Sequence, residues 1–261
     1  MLRFLSSVIL WTTHMLRLSA NRGVQRTNTV IRTHANHCRA TELCSILGPE
    51  AWKGRSCFLI GGGPSLEDPS CVATISKLIA GGALTIGVNK SFLFGTTLCY
   101  AMDEQFYNLV TTDPDINKDW KAYQGMKIFI SRSKQMRLDS TVYYVHSLDR
   151  KVLSFDIGQG IYPGNNSGMG AIMLACALGC KKIGLLGYDF SVRAEDGKTH
   201  WHAGYKNQEA KEMPKVLNEF KLAIEEFVDT WKLNEIDIVN LNPNSGLRCF
   251  RFATVDDFYG E

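Results

Sequence analysis

The sequence predicts an α/β fold: a Rossmann-like, mostly parallel sheet with helices on both faces, in a single domain. Short apolar runs recur along the chain and alternate with stretches of helical spacing, as strands and crossover helices do. The run Ile183 to Leu186 shows no alternating polar residue, the mark of a strand covered on both faces. Polar or glycine-rich residues follow strand after strand, as they do at the ligand-facing edge of an open parallel sheet.

At 261 residues the chain is long enough to bury a sizeable core. Its formal charge of +3 is unevenly distributed, because residues 1–41 hold six arginines and no acidic residue. The remainder carries 23 basic against 26 acidic residues, a balance that offers no broad surface for nucleic acid, so any phosphate would be held by a local site. None of the eight cysteines forms a CxxC pair; Cys176 and Cys180 read as buried thiols of a reducing, cytoplasmic setting.

Residues 1–43 are expected to be a basic, poorly ordered N-terminal extension, with residues 44–261 forming the nucleotide-binding transferase domain. The apolar patch Val8 to Trp11 is too short to span a membrane. The composition also fits a transit-type presequence or a poor signal peptide; the extension is the preferred reading.

The first strand, Arg55 to Ile60, runs into Gly61-Gly62-Gly63-Pro64-Ser65-Leu66. Glycines in such a turn let a phosphate approach the backbone, and Pro64 and Ser65 suit a helix start whose free N–H groups favour anions. Leu66 stands where the dinucleotide fingerprint needs glycine, and no GK[ST] follows, so neither an NAD nor a P-loop site is supported. A second strand, Ala83 to Val88, ends in Asn89-Lys90-Ser91. A third, Leu98 to Met102, ends in Asp103-Glu104, where Asp103 is equally an ordinary cap. Lys127 to Ile130 and Thr141 to Val145 read as further strands, and His146 as structural.

Gly164 to Phe190 reads as loop, core helix, turn and strand. Asn165, Asn166, Ser167 and Gly168 precede the apolar run Met169 to Leu178, which has no charged face and is therefore expected to be a buried helix. Gly179 can supply the positive φ that stops it. The Ile183 strand is expected to be central, with Gly187-Tyr188-Asp189 just past it.

The loop Thr199 to Asn207 holds two histidines flanking Trp201. A histidine titrates near neutral pH and can take a proton from an acceptor hydroxyl, provided the loop folds over the crevice. His202 is ranked first and His200 second. Zinc would need a third ligand at fitting spacing, and no HxxxH, HExxH or paired cysteines accompany them, so no metal site is expected. Glu209 to Lys232 is expected to be one amphipathic helix covering the sheet, through Val216, Phe220, Ile224, Phe227, Val228 and Trp231. A last strand, Ile236 to Leu241, ends in Asn242-Pro243-Asn244-Ser245-Gly246.

Taken in order, IGGGPSL, GVNKSF, NNSGMGAIMLACALGCKKIGLLGYDF, the HWH loop and NLNPNSGL resemble the bacterial family-42 sialyltransferases and the related domain of 6-hydroxymethylpterin diphosphokinase-like proteins, a cluster also seen in uncharacterised tailed-phage proteins. The similarity runs from about Cys57 to Ser245. It implies that Gly61, Gly62, Gly63, Pro64, Ser65, Asn89, Asp103, Asn166, Ser167, Gly168, Asp189, Asn244 and Ser245 bind a nucleotide-activated small-molecule donor, of cytidine type, and that a histidine deprotonates the acceptor. The chain departs from the family pattern at Gly62, where that pattern has asparagine, and at Gly164, where it has arginine. It also departs at Ser191 and Val192, which replace tyrosines, and in the spacing of its two histidines. The resemblance therefore implies a nucleotide fold and leaves the donor open. A glycosyltransferase would need no cofactor. The alternative, a pyrophosphokinase acting on a small heterocycle, would need Mg²⁺ on Asp103, Glu104 or Asp189. A non-catalytic phage protein retaining the fold would show no turnover.

Overall fold

One sheet of nine strands, every neighbouring pair parallel, organises residues 40–130, 139–202 and 212–259, which are the residues the computed structural model describes. In chain order the strands are β1 (Thr41–Glu42), β2 (Ser56–Ile60), β3 (Leu84–Val88), β4 (Leu98–Ala101), β5 (Met126–Ile130), β6 (Tyr143–Val145), β7 (Lys182–Leu186), β8 (Asp237–Asn240) and β9 (Arg251–Phe252). Across the sheet they run β1-β6-β5-β4-β3-β2-β7-β8-β9. The chain steps outward from β2 to β6, then returns to lay β7 on the other side of β2, with Cys57 opposite Ile183 and Ile60 opposite Leu186. Strand order thus reverses between β2 and β7. In an open α/β sheet the crevice for ligand lies outside the carboxyl ends at such a reversal.

The helices are α1 (Pro69–Ala80), α2 (Glu104–Thr112), α3 (Pro114–Ala122), α4 (Ser167–Ala177), α5 (Met213–Glu225), α6 (Val228–Leu233) and α7 (Val255–Tyr259). Alternation along the strands sorts side chains to the two faces. Phe58 and Ile60 of β2 join Ile75 and Leu78 of α1 and Phe258 of α7 in one cluster, while Cys57 between them faces Cys176 and Cys180 at the end of α4. Cys99 and Ala101 of β4 pack with Phe106 and Trp120 under α2 and α3. Tyr100 points the other way, against Gly170 of α4.

Helix α4 is buried from Met169 to Ala177. Asn166 caps it by accepting from Met169 N at 2.8 Å. Gly179, at φ 96°, ends it: Gly179 N donates to Cys176 O and Cys180 N to Ala175 O, which satisfies the last carbonyls. Gly170 permits the close approach to the sheet, since a Cβ there would overlap the Tyr100 hydroxyl. β7, between β2 and β8, is an interior strand, buried from Ile183 to Leu186.

Several boundaries differ from the sequence reading. Arg55, Ala83, Met102, Thr141, Ile236 and Leu241 fall just outside the ladders, while Met126 and Lys182 lie inside them. The span expected as one helix from Glu209 divides into α5 and α6, and residues 203–211 lie outside the described residues. The break comes where Phe227, buried at 5% exposure, turns in to stack on Tyr162 and lie against Trp231. The buried stripe is Met213, Leu217, Ile224, Phe227 and Trp231, with Val216 and Phe220 at its margin. The two-residue edge strands β1 and β9 are too short to leave a pattern. β1 and the buried Leu43 already belong to the sheet unit, ahead of the expected boundary after residue 43. His146 pairs with Glu42 of β1 at 2.8 Å, a structural contact. Residues 1–39 lie outside the described residues.

Candidate functional site

Because all strands are parallel, the turns after β2, β3, β4, β7 and β8 share one edge, and the amino end of α4 reaches it too. The Ser167 hydroxyl accepts from Met102 N, just past β4, at 3.3 Å. Tyr188, just past β7, donates its hydroxyl to Gly168 O at 3.0 Å. The residues named from the sequence at Gly61 to Ser65, Asn89, Asn166 to Gly168 and Asp189 therefore stand on the same edge of the sheet.

Within that edge they divide into a scaffold and an open surface. Asp189, 5% exposed, accepts from Ser65 N at 2.7 Å and Ser65 Oγ at 2.6 Å, and from Asn242 Nδ2 at 2.7 Å. This carboxylate fastens the turn after β7 to the 3-10 turn Pro64–Glu67 and to the loop after β8. A Cβ on Gly63 would fall on that carboxyl, and one on Gly61 would meet Gly187 O and the Tyr188 ring. These two glycines are therefore fixed by packing at the β2–β7 reversal, and their amides donate to Leu186 O and Gly187 O at 2.8 Å each. Pro64 opens the 3-10 turn and is buried. Ser245 is fully buried, donating to Tyr188 O at 2.6 Å and accepting from Leu247 N. Asn244 is exposed and gives its amide to Asn242 Oδ1 at 3.0 Å. Asn166 is the α4 cap, 7% exposed. Asp103 caps α2, accepting from Phe106 N at 2.6 Å; burial raises its pKa and that amide partly opposes the rise.

The open surface centres on Gly62. The loop 199–202 lies over it: Trp201 N donates to Gly62 O at 3.1 Å, and His200 Cδ2 is 3.4 Å from where a Gly62 Cβ would stand. On its far side the loop rests on the 3-10 segment Asn89–Phe94, with the Trp201 and Phe94 rings 5.1 Å apart. Thr199 Oγ1 is 2.9 Å from His200 Nδ1, and the His200 and His202 rings are 5.4 Å apart. Burial, and secondarily the Lys90 charge, push the His200 pKa below its ordinary value. Asn89 adopts φ 52°, and its Oδ1 is buried with no hydrogen-bond partner among the described residues.

An ionic strap holds the start of this loop. Glu67 pairs with Arg193 and, at 2.7 Å, with Lys198, while Arg193 also pairs with Asp196 and donates to Pro64 O at 3.3 Å. A cavity of about 430 Å³ lies between Glu67, Lys198, Thr199, His200, Trp201 and His202. A larger open groove of about 1760 Å³ runs from Pro64, Ser65 and Glu67 along α1 towards α7, and Asp189, Asn242 and Asn244 also line it.

Lys90, Ser91 and Asn242 were not singled out as site residues, and Tyr188 was included only as part of the stretch Gly187-Tyr188-Asp189 that borders the site. Lys90 and Ser91 stood in the polar turn after β3, Tyr188 lay between Gly187 and Asp189 just past β7, and Asn242 opened the turn after β8, so position at a strand end was the available signal for all four. Tyr205 and the rest of residues 203–211 lie outside the described residues. Among the described residues, no group of three or more His, Cys, Asp and Glu side chains is placed to hold a metal ion, and no helix is long and apolar enough to cross a membrane. Of the carboxylates considered for Mg²⁺, Asp103 and Asp189 accept from backbone amides and Glu104 is exposed in the first turn of α2.

No protein-family model matches the chain, and no curated protein matches it. Among solved structures, the chain is similar in fold to the sialyltransferase CstII from Campylobacter jejuni in complex with the substrate analogue CMP-3FNeuAc, at 15% identity and a TM-score of 0.45, covering 77% of this chain and 86% of that one. Two variants of the sialyltransferase CST-II in complex with CMP match over the same shares, at 14% identity and TM-scores of 0.46 and 0.44.

Proposed function

We propose that the chain is a nucleotide-sugar-dependent glycosyltransferase of sialyltransferase-like type, with His200 as general base. The observation that carries this reading is the 3.1 Å hydrogen bond from Trp201 N to Gly62 O, which seats the histidine loop on the glycine turn at the carboxyl edge of the sheet. A base must lie within reach of the group it deprotonates, and this edge is where an α/β sheet receives its ligand. We rank His200 ahead of His202, the sequence's first choice, on three supports. The His200 ring flanks Gly62, the Thr199 hydroxyl orients it, and burial favours the neutral imidazole, the form that accepts a proton. The acceptor hydroxyl gives its proton to that imidazole as its oxygen bonds to the anomeric carbon of the donor. The bond from that carbon to the phosphate oxygen breaks, and its electron pair leaves with the nucleotide. The motif order from Cys57 to Ser245 supports the same reading, and no step in it calls for a metal.

The test is a thermal-shift panel of CMP-, UDP- and GDP-sugars, with and without Mg²⁺, followed by transfer assays with any nucleotide that binds. A ligand at 100 times its Kd stabilises the native state by about 2.7 kcal/mol. The expected result is stabilisation independent of Mg²⁺, with turnover about 10²–10⁴-fold lower in His200→Ala and binding retained. Stabilisation that requires Mg²⁺ would favour the pyrophosphokinase reading, and none at all the non-catalytic one.

A further inference from the structure

We propose that Lys90 and the Gly62 amide form an anion-binding position, which holds the phosphate of the donor and receives its charge when the donor bond breaks. The inference rests on the glycosyltransferase reading for its substrate and on the following geometry for its place. Ile60 of β2 lies opposite Gly87 of β3, so the chain leaves these neighbouring strands at the same edge of the sheet, through Gly61–Gly63 after one and Asn89–Ser91 after the other. The left-handed backbone of Asn89 turns the chain out of β3 into the 3-10 segment, a conformation that costs an asparagine little by comparison with other side chains. The Ser91 hydroxyl donates to Gly61 O, tying that segment to the glycine turn, and Phe94 rests on Trp201. The segment that carries the half-buried Lys90 is thereby held against both the glycine turn and the histidine loop, and the Lys90 charge acts on His200.

The donors present suit a phosphate. The Gly61 and Gly63 amides are engaged with Leu186 and Gly187, whereas no described residue accepts from the Gly62 amide, whose backbone has no side chain to fend off a ligand oxygen. An ammonium withdrawn from water attracts an anion more strongly than one in bulk solvent. Burial lowers the Lys90 pKa, consistent with that withdrawal, and Asp113, the cap of α3, opposes the shift. The buried Asn89 Oδ1 beside them is an acceptor, suited to a donor hydroxyl and not to the phosphate itself. When the bond from the anomeric carbon to the phosphate oxygen breaks, the electron pair stays on that oxygen, and Lys90 and Gly62 N–H face the added charge while the acceptor proton resides on His200.

The test follows the His200 imidazole and Lys90 Nζ resonances by NMR in the full chain while inorganic phosphate is added, for wild type, Lys90→Gln and Lys90→Arg. Phosphate should move both resonances in wild type. It should bind about 10- to 100-fold more weakly to Lys90→Gln, the usual effect of deleting a charged hydrogen-bond partner, and within a few-fold of wild type to Lys90→Arg. Lys90→Gln should also raise the His200 pKa, because a like charge is removed. Among the described residues, the other ionisable groups that line the cavity with that ring, Glu67 from the 3-10 turn and Lys198 and His202 from its own loop, are unchanged in the variant. Unmoved resonances in wild type would overturn the proposal without any variant having to fold. So would unchanged phosphate binding in Lys90→Gln. Phosphate held through Lys90 with no tighter binding of any nucleoside monophosphate would keep the anion position and sink the glycosyltransferase reading. Nucleotides that bind wild type and Lys90→Gln equally would do the reverse.

Discussion

At the scale of single residues, the polar groups at the sheet edge do two different jobs that a sequence cannot separate. Asp189 follows a buried strand, as a ligand-binding carboxylate would, yet its oxygens are engaged by Ser65 and Asn242. Asp189→Ala would leave the Ser65 amide and hydroxyl without their acceptor in a protected site, and should cost about 2–4 kcal/mol of stability in chemical denaturation. A loss under 1 kcal/mol would show that the carboxylate is free to serve a ligand. His200 makes the opposite case. Its folded pKa lies below the ordinary value of 6.5, so the folded state binds the proton less readily than the unfolded chain does. Above pH 6.5 this carries no cost. Stability should fall as pH drops from 6.5 to the folded value and then level off. His200→Gln should remove that slope from a plot of Tm against pH; an identical slope in the variant would place the shift on another group.

At the scale of elements, α4 shows where the sequence was legible and where it was not. An uninterrupted apolar run bounded by Asn166 and Gly179 could only be a buried helix, and both its cap and its stop stand where those residue types put them. The same logic identified the buried strands β2, β3 and β7, whose burial is written into their composition. Contacts between distant segments were not legible: nothing local in Asp189 or Ser245 tells whether a neighbour 50 or more positions away has claimed it. Nor did the spacing of α5 and α6 reveal their break, because the hydrophobic stripe continues through Phe227. Gly170 sharpens the distinction. By helix propensity Gly170→Ala should stabilise α4 by about 1 kcal/mol. A Cβ there would overlap the Tyr100 hydroxyl and ring, and overpacking of this kind typically costs about 1–3 kcal/mol. The expected net effect is a lower denaturation midpoint. A higher midpoint would mean that α4 can slide away from β4 at little cost.

At the scale of the whole molecule, the reversal of strand order between β2 and β7 decides where a ligand can act. Moving outward on either side of that line, successive crossovers draw the chain away and leave an opening at the carboxyl ends. The turns after β2 and β3 stand at that opening, and the histidine loop, which continues from the turn after β7, closes onto the first of them through Trp201 and Gly62. The strap of Glu67, Arg193, Asp196 and Lys198 secures the same loop from the other side. A ligand held there must touch segments more than 100 residues apart in sequence while leaving the amino edge of the sheet untouched. Hydrogen exchange should therefore show protection appearing together at Gly61–Gly63, Asn89–Ser91 and Thr199–His202 when a nucleotide or phosphate binds, with β8 and β9 unchanged. Glu67→Gln, which loosens the strap without touching any of the three segments' backbone bonds, should weaken protection of Thr199–His202 selectively. Protection concentrated instead along α1 and α7 would assign the ligand to the larger groove and remove the histidine loop from the site.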